Sequence, residues 1–365
     1  MSAPDLHDLT ILGAGPTGLF AAYYAGLRRM STKIIDSLDS LGGQLTALYP
    51  EKFIFDIPGF PRILARDLAR NLVEQATQAN PTICLNELIT TLEPITEIPD
   101  HAEQIPPPLY KLTSANSIHY TRTLLIAAGA GAFSPKKLPL PDAARFENHA
   151  LFYSVPQKSL FAGKNLLIIG GGDSAIDWAL NLQSTARKIT LIHRRNQFRA
   201  HEDSLRQIQA TPTQILPFFE LDALLPSSTN DHSLTAAIIR NNQTHETRTL
   251  PVDAILVQIG FNSSLGPLKN WPLQIDRNSI PVNPEMETSL PGIFAAGDIC
   301  SYPAKLKLIA TGFAEALTAV NYAKTRIDPS ARPFPGHSSE MTPQPQSMAT
   351  LNNQESQNQN PEVRE

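Results

Sequence analysis

The sequence predicts an α/β protein with two Rossmann-like dinucleotide-binding domains, one inserted into the other. Residues 8–37 and 164–195 follow one plan: an apolar run, a glycine-rich turn, an alanine-bearing helical stretch and a second β-rich run. Each is the pattern of a βαβ unit with parallel strands. The second copy begins near the middle of the chain, and its sheet is expected to end around 254–260. Beyond it, PGIFAAGDI at 291–299 and LIATGFAEALTAVNYAK at 308–324 read as a buried strand and a helix, as if the first domain resumed.

A length of 365 residues agrees with two domains, at ~150 residues each. Apolar residues at 42% and charged residues at 18% are ordinary globular proportions, enough for two cores. The net charge of −4 gives no reason to expect a nucleic acid as partner. Cys84 and Cys300 are too far apart in sequence to form a CxxC pair or a zinc knuckle, and two thiols suit a reducing cytosol. The opening MSAPDLHDLTILGAG lacks the basic-then-apolar build of a signal peptide, and its apolar stretch is too short to span a bilayer. A cytoplasmic protein with no membrane segment is expected.

In the first unit, Gly13-Ala14-Gly15-Pro16-Thr17-Gly18 matches GxGxxG between a strand and a helix. Gly13 serves the tight turn, Gly15 lets a pyrophosphate approach the backbone, and Gly18 lets helix and sheet close together. The helix N-terminus offers N–H groups to the phosphates. Asp36 stands at the end of the second strand, where a carboxylate accepts from ribose hydroxyls. Asp298, after Gly297, is an acidic residue closing a strand, where it can serve a bound nucleotide; alone, such a pair is usually a turn.

In the second unit the fingerprint is Gly170-Gly171-Gly172-Asp173-Ser174-Ala175, with alanine in the third place. Its second strand ends in His193-Arg194-Arg195, followed by Arg199, with no carboxylate. Guanidinium groups there suit a 2′-phosphate, which they grip bidentately, so the site points to NADP rather than NAD. A solvated basic patch is the plainer alternative. HED at 201–203 has no HExxH continuation, and no metal site is expected.

Gly and Pro near 129–135 and 285–291 mark linkers. This puts the first domain at 1–130 and 288–339 and the second at 131–287. From 340 the composition turns to Gln, Asn, Ser, Pro and Glu, which predicts a disordered tail over 340–365. The stretch 99–108 reads as a surface loop.

GAGPTG, GGQLTALYPEKFIFDIPGFP, GGGDSAIDWAL, HRRNQFRAHE and GIFAAGDI together resemble the ferredoxin–NADP reductases built on the thioredoxin-reductase plan. The likeness covers about residues 9–339, and the long GGQ motif is far more specific than either glycine loop. It implies domains of the three-layer ββα type, with FAD in the first and NADPH in the second. It also implies FAD contacts from Thr17, Asp36, Gln44, Tyr49, Ile89, Phe133, Asp298 and Ser339. Family members usually carry Glu at the Asp36 position. An aromatic ring on each flavin face would be Tyr49 and His337. From the residues alone, Tyr49 is equally a loop tyrosine packed on Pro50, and His337 equally part of the tail.

Thioredoxin reductases carry a CxxC just ahead of the second unit; here 151–156 is LFYSVP. No disulfide can relay electrons. The activity the resemblance implies is hydride transfer from NADPH to flavin N5, then single electrons to ferredoxin or flavodoxin. No side chain is expected as an obligatory acid or base. A homodimer is implied as well. An acidic carrier would meet Arg62, Arg66, Arg70, Lys136, Lys137, Lys305 or Lys307. Two other readings stay open: an NADPH-dependent flavin reductase acting on flavodoxin, quinones or iron chelates, and a non-catalytic sensor of both nucleotides.

Overall fold

The computed structural model describes residues 6–95, 109–228 and 230–337. The expected loop at 99–108 and tail at 340–365, with Ser339, lie outside them. Strand β1 (Leu6–Leu12) runs into helix α1 (Pro16–Leu27), which returns to β2 (Thr32–Ile35), parallel to β1. On its other edge β1 pairs in parallel with β3 (Ile118–Ile126). Leu9, Ile11 and Ile34 are buried, as befits parallel strands covered on both faces. Pro16 opens α1, where a missing N–H costs nothing.

β3 belongs to two structures. Its C-terminal half continues the parallel sheet, while residues 118–121 pair antiparallel with Tyr110–Ser114, which in turn pairs with Ile89–Pro94. One core cluster lies between sheet and helices, rich in Ala21, Ala22, Ala25, Ala316 and Ala319. A second holds Ile89, Leu112 and Ile126. The domain is thus helices, parallel sheet and meander in three layers.

The second unit repeats this plan. Strand β4 (Asn165–Gly170), helix α2 (Asp173–Asn181) and strand β5 (Lys188–His193) form its βαβ core. The parallel sheet runs Leu151–Phe152, Ala254–Gln258, β4, β5, Gln214–Pro217. An antiparallel meander follows, Phe219–Pro226, Leu234–Asn241 and Thr247–Pro251. The stretch 151–156, where thioredoxin reductases carry their CxxC, begins with the edge strand Leu151–Phe152, and Phe152 and Val155 are buried.

Outgoing and returning chains cross side by side: Ala132–Pro135 pairs antiparallel with Phe261–Ser264. The return comes earlier than the expected 287. Leu265, Leu268, Trp271, Leu273 and Ile280 already pack in the first unit's core, and Trp271 Nε1 donates to Thr90 O at 3.1 Å. Leu265, Leu268 and Trp271 recur every three residues around the 3₁₀ helix Gly266–Asn270, a run too short to announce a core element. The Gly and Pro near 285–291 mark a turn inside the first unit, ahead of β6 (Ile293–Ala295), which pairs with β3. Helix α3 (Ile309–Ile327) then packs along α1. Among the described residues, no helix is long and apolar enough to cross a membrane.

Candidate functional site

The first glycine loop separates what the fold needs from what a ligand needs. Gly13 has φ +111°, and a Cβ there would fall into the Ala127 carbonyl; one on Gly18 would fall into the Gly13 carbonyl. Both glycines are demanded by the chain itself. A Cβ on Gly15 would meet nothing within 4 Å. No protein atom requires glycine at 15, and its bareness serves a group arriving from outside. Gly15 is also the N-cap of α1 and makes no side-chain cap, so the helix N–H groups face that approach. This cradle fits a dinucleotide pyrophosphate.

The GGQ motif lies directly on this loop. Gly42 N donates to Ala14 O at 2.9 Å, and a Cβ on Gly43 would stand 2.8 Å from Gly15 Cα. Gln44 then begins a short helix, Gln44–Ala47, with its amide toward Gly129. Tyr49 packs against the core clusters of both units. Burial and the nearby negative charges of Asp298 and Asp56 push its phenol up to about 12. Tyr49 and Asp298 therefore share one environment beside the loop, and the phenol keeps its proton at neutral pH.

Asp36 has a structural task that sequence reasoning missed. Its carboxylate accepts from Ala14 N at 2.6 Å and Leu38 N at 2.8 Å, so it ties the glycine loop to the end of β2. A carboxylate has about four acceptor sites, which leaves capacity for a ribose. Ile89 is buried in the core beside Leu12 and Ile35. Phe133 lies in the crossover strand. His337 is exposed, its ring edge-on to Phe334 at 5.4 Å. It follows Arg332, whose carbonyl accepts from Arg28, at the end of α1 opposite the glycine loop.

The second loop is built likewise. Cβ atoms on Gly170 and Gly171 would fall into the Gln258 carbonyl and the His193 ring, whereas one on Gly172 would meet only Arg199 O, at 3.8 Å. Gly172 is thus the counterpart of Gly15. The arginine loop folds back onto it: Arg199 N donates to Gly171 O at 2.7 Å, and Asp173 accepts from His201 N at 3.0 Å. Ser174 follows in the first turn of α2. Arg194, Arg195 and Arg199 are exposed. Burial holds His193 below its usual value, and the three guanidinium groups add to this despite a hydrogen bond with the Gln197 backbone. Three fixed positive charges thus converge beside a glycine turn, an arrangement suited to a phosphate.

Several expected docking cations are engaged elsewhere. The Lys305 side chain is only 6% exposed and is paired with Glu315; Arg66 pairs with Glu51, Arg70 with Asp67 and Lys137 with Glu147. Lys305 is thereby removed from any docking surface. Among the described residues there is no group of three or more His, Cys, Asp or Glu that could hold a metal ion.

Residues 7–323 match the family described as pyridine nucleotide-disulphide oxidoreductase. The chain belongs to that family. It is 49% identical to a protein of Halalkalibacterium halodurans named ferredoxin--NADP reductase, covering 92% of this chain and 98% of that one. A ferredoxin--NADP reductase 2 of Chloroherpeton thalassium is also 49% identical, over 92% of this chain and 95% of that protein. In fold it is similar to thioredoxin reductases of T. acidophilum, with TM-score 0.73 and 20% identity, and Lactococcus lactis, with 0.71 and 23%. These cover 88% of this chain and 98% and 99% of theirs. Unlike the disulphide chemistry in the family's name, this member has only Cys84, in the strand Thr82–Cys84, and Cys300, whose thiol is pushed up to about 12 by burial and Glu315.

Proposed function

We propose that the chain is a ferredoxin–NADP reductase, holding FAD at the first glycine loop and NADPH at the second. The observation that carries this reading is the second loop hydrogen-bonded to a loop of three arginines, in a chain with no cysteine pair to pass electrons onward. The names of its 49%-identical relatives support it. When bound, NADPH supplies a hydride and FAD divides the electron pair into single electrons.

The chain's own residues position and protect. Gly15 and the start of α1 receive one pyrophosphate, and Gly172 with the start of α2 receives the other. Arg194, Arg195 and Arg199 grip the 2′-phosphate. Asp36 fixes the first loop and accepts from the adenosine ribose; Thr17, Gln44, Ile89, Phe133, Asp298 and Ser339 complete the FAD site. Tyr49 supplies a neutral ring on one flavin face, and His337 is the candidate for the other. Residues 6–130 with 265–339 would form the FAD domain, and 131–264 the NADPH domain. The protein works in the cytoplasm as a homodimer, with ferredoxin or flavodoxin as acceptor.

NADPH-dependent reduction of cytochrome c tests the acceptor. Rates that rise on adding ferredoxin or flavodoxin support the reading. Equal rates without any carrier, or fast direct reduction of quinones and ferric chelates, favour a general flavin reductase.

A further inference from the structure

Beneath the Gly297–Ile299 turn lies a charged pair that the reading above leaves unused. The side chains of Glu315, on α3, and Lys305 are 4% and 6% exposed. Glu315 Oε1 accepts from Tyr302 OH at 2.6 Å and from Lys305 Nζ. Its Oε2 accepts from Gly297 N at 2.8 Å and from Cys300 Sγ at 3.4 Å. Four donors fill a carboxylate. Burying two charges is costly, and apolar residues of similar size often serve stability as well or better. Packing alone therefore gives little reason for this pair.

One of the four donors is different in kind: it is the backbone N–H that opens the turn carrying Asp298. Gly297 has φ +80°, and a Cβ there would come 2.9 Å from Thr17 Oγ1. A Cβ on Gly312, one helical turn before Glu315, would fall into the same hydroxyl. Thr17 therefore sits in a niche made by two glycines. Three segments meet at this point: the start of α1 after the glycine loop, the turn with Asp298, and the first turn of α3. Thr17 sets the spacing from above, and Glu315 ties the turn to α3 from below.

We propose that Glu315 is a positioning residue for the flavin site, its buried carboxylate holding the Gly297 N–H so that the turn carrying Asp298 stays against Thr17 at the start of α1. Lys305 and Tyr302 fix the rotamer of that carboxylate. This rests on the reading that the first glycine loop binds FAD.

The test uses the full FAD-loaded protein with Glu315→Asp, Glu315→Gln and the apolar pair Lys305→Met with Glu315→Met. FAD release on dilution is followed by free-flavin fluorescence, visible circular dichroism is recorded at saturating FAD, and NADP+ affinity reports the integrity of the second unit. Asp keeps the charge but is one methylene short of Gly297 N. We expect Asp and Gln to weaken FAD binding about 10- to 100-fold, the scale of one charge-assisted hydrogen bond. The dichroism of the bound flavin changes and NADP+ affinity stays within about twofold. The apolar pair loses FAD to a similar extent, which separates positioning from stability. FAD affinity and dichroism like the parent's in Asp, in Gln or in the apolar pair overturn the proposal. If one variant does not fold, the charge-conserving Asp form decides. Failure of the underlying reading looks different: Gly15→Ala would then retain FAD like the parent.

Discussion

The Lys52 ammonium stands 2.6 Å from the Asp177 carboxylate, joining the two nucleotide units through the loop that follows Tyr49. Asp177 lies one helical turn beyond Asp173, at the start of α2. Both side chains are partly exposed, so the pair is worth about 0.2–1 kcal/mol and is screened by salt. A double-mutant cycle of Lys52→Met and Asp177→Asn, read by thermal unfolding, should return a coupling in that range that fades at high ionic strength. A zero coupling at low salt would show that the two units are not held together here.

The glycines divide into two kinds. Gly13→Ala and Gly18→Ala should destabilise the fold, at Gly13 by at least ~1–3 kcal/mol for the strained backbone alone. Gly15→Ala should cost the FAD-free fold no more than about 1 kcal/mol, the scale of an altered N-cap, yet abolish FAD retention. Gly172→Ala should behave in the same way toward NADP+. Melting curves beside flavin content and NADP+ titration check this; a Gly15→Ala protein that purified fully flavinated would refute it.

The arginine loop should decide cofactor choice. Arg194→Ala or Arg195→Ala is expected to raise KM for NADPH about 10- to 100-fold, the loss of a charge-assisted contact. KM for NADH should barely change, because that cofactor lacks the 2′-phosphate. Parallel losses with both cofactors would point to damage of the loop rather than to phosphate recognition.

A buried relay beside the first sheet gives a pH signature. Lys33 Nζ donates to His119 Nδ1 at 3.2 Å, and His119 Nε2 donates to Glu87 Oε1 at 2.8 Å. A lysine has only donors, so Nδ1 must accept and Nε2 must carry the proton. Burial pushes the Glu87 carboxyl up, but the Ser114 hydroxyl and His119 outweigh it and hold it below the ordinary value. A depressed folded-state value stabilises the fold above the unfolded pKa of about 4.3. That contribution is lost as pH falls through the folded value. Melting temperature should therefore drop on acidification below about pH 4.3, and Glu87→Gln should flatten the drop. A pH-independent gap between the two proteins would rule the relay out.

Local chemistry was the legible part of this fold. Glycine turns after apolar runs, and arginines at the end of β5, fall within a few residues of one another in sequence, so their spacing carries meaning. The return of the chain at Leu265 was not legible, because Leu268 and Trp271 belong to a single short 3₁₀ helix, over which a three-residue period does not stand out. Glu315 reads as one acid in an alanine-rich helix; only folding brings Lys305, Tyr302 and Gly297 to it. Asp36 was expected at the ribose, but its bond to Ala14 N depends on how closely the loop folds back. The flavin face that the resemblance implies for His337 stays a proposal; its ring lies edge-on to Phe334.

The most direct test is anaerobic stopped-flow mixing of the FAD-loaded protein, first with NADPH and then with oxidised ferredoxin. The flavin absorbance should bleach with NADPH and recover as ferredoxin is reduced. A flavin that stays oxidised with NADPH, or a reduced protein that ferredoxin cannot reoxidise, would contradict the account.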